Sequence, residues 1–67
     1  MKTLTPRQDE VFRLAGDGYS AAQIGEQLGM SRRTAEAHLA QIKLRLQAPS
    51  KQALVVLARD YFAATEN

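Results

Sequence analysis

A chain of 67 residues makes one small domain, and at this size only about 60% of the unfolded surface is buried, which leaves little room for a catalytic pocket. It has no cysteine and a single histidine, which excludes disulfides, zinc–thiolate sites, thiol nucleophiles and a His-rich metal cluster. Net charge is only +2, yet residues 31–51 hold Arg32, Arg33, Lys43, Arg45 and Lys51 against Glu36 alone, a block that points to a polyanionic partner or to a plain solvated helix face.

Taken along the chain, Thr5-Pro6-Arg7-Gln8 reads as a helix cap, a proline at the first helical position and a Gln three residues after the cap. Val11, Phe12, Leu14 and Ala15 follow at helical spacing. Gly16 and Gly18 are expected to end this helix, because glycine takes the left-handed conformation at little cost. Asp9 and Glu10 fall in its first turn, where negative charge complements the helix dipole, so they read as structural and not as paired catalytic acids. Tyr19 is expected to plug the core below the next turn, and a backbone contact through its hydroxyl is the lesser reading. Ser20-Ala21-Ala22-Gln23 repeats the start signal and opens a short second helix with Ala21, Ile24 and Leu28 on one face. Only Gly29, Met30 and Ser31 separate it from a third helix, which Ser31 caps and which runs to about Leu46. So short a joint containing glycine makes neighbouring helices cross steeply, as in a helix-turn-helix, though a generic helical hairpin shares the signal. Ala48-Pro49 breaks the chain, and Ser50 caps a fourth helix from Lys51 to about Ala63. Residues 1–3 and 64–67 are expected to fray. No stretch alternates like a strand, so the expected fold is all-α, with four helices in one domain over residues 1–67.

At about 100° per residue, the third helix places Ala35, Leu39, Ile42 and Leu46 on one arc, which must be core. Arg33, Ala37, Ala40 and Leu44 face the other way, flanked by Glu36 and Gln41. Thr34, His38 and Arg45 border the core on one side, and Arg32 and Lys43 border it on the other. Small residues at the centre of an outward face with cations at its rim suit a helix in a DNA major groove. Alanine lets the backbone approach the bases, while the cations reach phosphates. The bland alternative is that Ala37 and Ala40 are only good helix formers on a solvent face. His38 lacks the partners that a catalytic or metal role would need, and packing at the edge of the core is expected.

Leu4-Thr5-Pro6-Arg7-Gln8-Asp9-Glu10-Val11 resembles the Leu-Thr-Pro-Arg-Glu-x-Glu-Val opening of the LuxR-type (GerE-like) DNA-binding domain. Ile24-Gly25-Glu26-Gln27-Leu28-Gly29-Met30-Ser31 is similar to its Ile-Ala-x-x-Leu-x-Ile-Ser turn. Thr34-Ala35-Glu36-Ala37-His38, with Ile42 and Arg45-Leu46, resembles its recognition helix, and Ser50-Lys51 matches the Ser-Arg that opens its last helix. The resemblance runs without gaps from Leu4 to about Tyr61. It implies a sequence-specific bacterial transcription regulator whose third helix enters the major groove and which binds inverted repeats as a homodimer through the fourth helix.

Base contacts would then fall on Glu36, Ala37, Ala40 and Gln41, and phosphate contacts on Ser31, Arg33, Thr34, Arg45 and Lys51. Double-stranded DNA is the partner implied, with RNA polymerase as a further one. No enzyme activity, cofactor, metal or small-molecule ligand is expected. The longest apolar stretch, Ala53 to Ala58, falls far short of the roughly 20 residues that span a bilayer, and the first ten residues carry no apolar core like that of a signal peptide. The place expected is therefore the cytoplasm, on the nucleoid.

The departures from the family pattern are specific. Ala35 stands where the family has Val, Glu36 and Ala40 where it often has long side chains, and Gln47-Ala48 where it has Gly-Val. Glu36 can accept from the amino group of cytosine but repels phosphate. That residue, with the small Ala40, also favours a second class of function: a helix-turn-helix adaptor or anti-activator that binds protein and has lost its operator. On the fourth helix Leu54, Leu57, Ala58 and Tyr61 share a face that three core helices can cover. Val55, Val56, Arg59 and Phe62 are then left pointing away, as the dimer interface. The other arrangement folds Val55 and Phe62 back onto the first helix and leaves only Val56 exposed.

Overall fold

Each helix begins where a hydroxyl can satisfy its first unpaired amides. The computed structural model describes residues 4–65, in which α1 spans Pro6–Gly16, α2 Ala21–Leu28, α3 Arg32–Leu46 and α4 Lys51–Thr65. Among the described residues there is no strand. At α1 the Gln8 amide donates to Thr5 Oγ1 and the Thr5 amide to Gln8 Oε1, both at 3.1 Å. The same reciprocal box closes on α2, with the Gln23 amide on Ser20 Oγ at 3.2 Å and the Ser20 amide on Gln23 Oε1 at 2.8 Å. Ser31 Oγ accepts from the Thr34 amide at 3.0 Å, and Ser50 Oγ from the Ala53 amide at 3.1 Å. A cap of this kind contributes about 1 kcal/mol, so each of the four starts is fixed in position by a contact local to it.

The ends of the helices carry two corrections. Gly16 does not take the left-handed conformation; it is the last residue of α1, buried, and the left-handed turn falls at Gly18 (φ 95°). Gly16 is small for another reason: a methyl group there would stand 2.7 Å from Ala58 Cβ, so α1 and α4 touch almost backbone to backbone. α4 also continues to Thr65, two residues past the expected end at Ala63. The fraying expected of residues 1–3 and of Glu66 and Asn67 lies outside the described residues.

α1 packs chiefly against α4, and α2 against α3. Between the two pairs lies a core of Val11, Phe12 and Ala15 from α1, Ile24 from α2, Ala35, Leu39 and Ile42 from α3, and Leu54 and Ala58 from α4. Tyr19 is half-buried against this core, as expected of a plug, and Leu46 packs at its edge.

The rotation of α4 differs from the expected one. Phe62 does not point away: its ring lies 5.6 Å from Phe12 and 4.9 Å from Tyr61, and the Arg13 guanidinium sits 4.7 Å above it. Val55 is half-buried, while Leu57, expected in the core, is 40% exposed beside Val56 at 55%. A phenyl ring buries more apolar surface than an isobutyl group and gains from its edge-on contact with Tyr61 and its tilted contact with Phe12. The helix therefore settles with Phe62 inward and Leu57 outward. Among the described residues no helix is long and apolar enough to cross a membrane.

Candidate nucleic-acid interface

The turn before α3 is built from main-chain atoms. Gly29 is left-handed (φ 70°), its amide and that of Met30 both donate to Gly25 O, and the Met30 bond is 2.9 Å long. A methyl group at Gly25 would lie 2.5 Å from Met30 O, so α2 approaches the turn more closely than any side chain would allow. Ser31 then starts α3 at once, with its carbonyl accepting from the Ala35 amide at 3.0 Å. The far end of α3 falls at Leu46. Gln47 adopts the left-handed conformation (φ 56°), and the Ala48 amide donates to Lys43 O at 2.9 Å. Gln47 thus fills the place in which the family pattern has glycine, and the change of residue leaves the helix end where it was expected.

Between these ends α3 divides as its spacing predicts. Ala35, Leu39 and Ile42 are buried, and His38 is half-buried at the border. Arg33, Glu36, Ala37, Ala40, Gln41, Leu44 and Arg45 are exposed, as are Ser31 and Thr34 at the start. Among the described residues Leu44 is the most open large apolar one, at 76%. All the residues expected to meet bases or phosphates are therefore on the accessible surface of α3, its cap or the first residue of α4.

Local pairing sorts them further. Ser31 Oγ donates to Thr34 Oγ1 at 3.0 Å, so these two hydroxyls already engage one another at the cap. Arg32 Nε donates to Glu36 Oε2 at 3.0 Å, an ion pair across one turn of α3. The expected arrangement had Arg32 only at the border of the core, and this pairing is what that placement missed. The i,i+4 spacing of Arg32 and Glu36 was the available signal. A shallow groove runs past Glu36, Ala40 and Lys43 on α3, with Ala21 of α2 on one side and Lys51 and Leu54 of α4 on another. The fold thus brings Lys51 to the same groove as Glu36 and Ala40. Ser31, Arg33, Thr34 and Arg45 stand elsewhere along the exposed surface of α3 and its cap. Among the described residues no cluster of His, Asp or Glu could hold a metal ion.

On α4, Val56 and Arg59 are exposed, Val55 is half-buried and Phe62 is engaged with α1. The apolar surface that remains is formed by Val56 and Leu57, and sequence reasoning missed Leu57 because helical spacing alone does not say which of two apolar arcs turns inward.

The sequence that builds this arrangement has known relatives. The family model for bacterial regulatory proteins, luxR family (GerE), matches residues 2–58. The chain is 47% identical over 55 residues to the transcriptional activator protein BjaR1 of Bradyrhizobium diazoefficiens, a stretch that covers 82% of the chain and 23% of that relative. No solved structure matches the chain.

Proposed function

Because the chain belongs to the luxR family of bacterial regulatory proteins, we propose that it reads DNA with the outward face of α3 in the major groove and regulates transcription from inverted repeats as a dimer. The family is one of DNA-binding transcription regulators, not of enzymes, and the chain is a DNA-binding domain of that kind. The observation that carries the reading is the face of α3 itself: Ala37 and Ala40 lie exposed at its centre, with Arg33 and Arg45 exposed along it and Lys51 brought to its groove. Small side chains admit the backbone to the bases, and the surrounding cations meet the phosphates that set register.

In this reading Glu36, Ala37, Ala40 and Gln41 face base edges. Ser31, Arg33, Thr34, Arg45 and Lys51 meet phosphates, the two hydroxyls giving up part of their mutual bond at the cap. Two copies meet through Val56 and Leu57 of α4, with Arg59 at the rim, and this pairing sets the spacing of the two reading helices near one DNA turn. One small helix face buries less than a standard interface, so the free dimer is weak and DNA strengthens it. RNA polymerase is a further partner for a protein of this family, and its place of work is the cytoplasm, on the nucleoid.

A gel shift on random duplex at low and high salt tests the reading. Binding that falls steeply with salt is expected, and site selection from a random pool then returns an inverted repeat. Besides Glu36 and the small Ala40, the exposure of Leu44 (76%) on the outward face of α3 favours the alternative of a protein-binding adaptor. Salt-insensitive or absent binding to duplex would turn the assignment to that alternative.

A further inference from the structure

We infer that Arg32 and Glu36 act as one reading unit, in which Glu36 accepts from the amino group of a cytosine while Arg32 holds that carboxylate in place. This rests on the DNA-binding reading above and deepens it by naming a base. An acid on a DNA-reading face has a problem of charge, since every phosphate repels it. Arg32 answers it locally: its Nε donates to Glu36 Oε2 at 3.0 Å, and the pair is open to solvent on both sides, 72% and 52% exposed. Glu36 Oε1 and both Nη atoms of Arg32 make no bond to another described residue. The pair is therefore half-used. One carboxylate oxygen is engaged by Arg32, and the other is open to accept.

Base chemistry then narrows the target. In the major groove guanine offers only acceptors at N7 and O6, which repel a carboxylate, and thymine offers an acceptor beside a methyl group. Adenine has an amino donor, but its N7 acceptor lies next to it. Cytosine alone offers an amino donor with no acceptor beside it. Ala37 and Ala40 on the same face leave the approach to Glu36 clear. Arg32 is thus a positioning residue for Glu36, and its charge offsets the repulsion that Glu36 alone would meet from the phosphates.

The test uses the 67-residue chain. Sites are selected from a random duplex pool with wild type, Arg32→Ala, Arg32→Lys and Glu36→Gln. Affinity is then measured for the selected site and for versions with each other base at the preferred position. Exposed ion pairs contribute little to stability, so these variants fold, which circular dichroism checks. Wild type is expected to favour cytosine at one position of each half-site by about tenfold. Arg32→Ala and Glu36→Gln should each bring that preference close to unity, a chain carrying both changes should lose no more than either alone, and Arg32→Lys should restore part of it. If Arg32→Ala keeps the cytosine preference and weakens all duplexes alike, Arg32 is a phosphate contact and the reading unit does not exist. A wild type that binds duplex without preferring cytosine anywhere overturns the unit but leaves the DNA reading intact. A wild type that binds no duplex overturns both.

Discussion

α3 and α4 are both 15-residue helices entered through a serine hydroxyl, yet they present opposite surfaces to the outside. α3 exposes arginines around two alanines and one paired acid, with Leu44 beside them, whereas α4 exposes the apolar pair Val56 and Leu57 among its polar residues. Their inner faces are alike, since each lays one arc of small and branched apolar residues into the same core. The difference lies in what each helix leaves uncovered, and that separates their work. A basic face suits a polyanion and depends on salt, while an apolar face suits another protein surface and does not. In the proposed function a domain this small has room for both, because each task takes mainly one side of one helix.

The comparison predicts that the two faces can be broken one at a time. The largest effect is expected from Val56→Glu or Leu57→Glu, which should leave the helix content and half-site binding unchanged by circular dichroism and gel shift. Affinity for the inverted repeat should fall by about a hundredfold, because the second half-site is no longer bound from an effectively high local concentration. Cooperativity that survives both changes would move the dimer contact off α4.

On α3, Glu36→Ala is expected to cost about 1–3 kcal/mol of discrimination at one base position while non-specific affinity holds or rises. Site selection that returns an unchanged motif would remove Glu36 from the readers. Lys51→Ala or Arg45→Ala should weaken every duplex about equally and reduce the slope of log affinity against log salt by roughly one counterion. An unchanged slope in both would show that neither meets a phosphate. The smallest effect is expected at the joint between the helices. Gln47→Gly relieves a left-handed residue that carries a side chain and should add about 1 kcal/mol of stability in urea unfolding, with no change in DNA affinity. A loss of stability there would mean that the Gln47 side chain makes a contact worth more than the strain.

The starts of all four helices could be read directly from Thr5, Ser20, Ser31 and Ser50, because a cap is a local bargain between a hydroxyl and amides two or three residues on. The division of α3 into inner and outer arcs could be read for a related reason: only one arc is apolar throughout. α4 was harder. Leu54, Val55, Val56, Leu57 and Ala58 are consecutive apolar residues, so spacing alone leaves its rotation undetermined. The contact of Gly16 with Ala58 and the tilted contact of Phe62 with Phe12 decide it, and both depend on where α1 lies. At Gln47 the backbone matters more than the residue type, since the left-handed turn forms without glycine. The partner of Glu36 stood four residues away in plain view, but whether an exposed pair closes depends on rotamers, which spacing does not determine.

The close approach of Gly25 to Met30 O has a consequence for how α3 is held. A side chain wedged between two helices can change rotamer when its surroundings change, and the helices then shift with it. A main-chain carbonyl has no rotamer to change. At this turn the tilt of one helix against the next is therefore fixed by a hard stop, while the filling of the core is left to Ile24, Ala35 and their neighbours. Such a frame behaves like the bearing of an instrument, stiff at the pivot and adjustable elsewhere. Residues along the outer face of α3 can then be exchanged for others, and in the proposed function the new set would meet the groove at the same angle as the old.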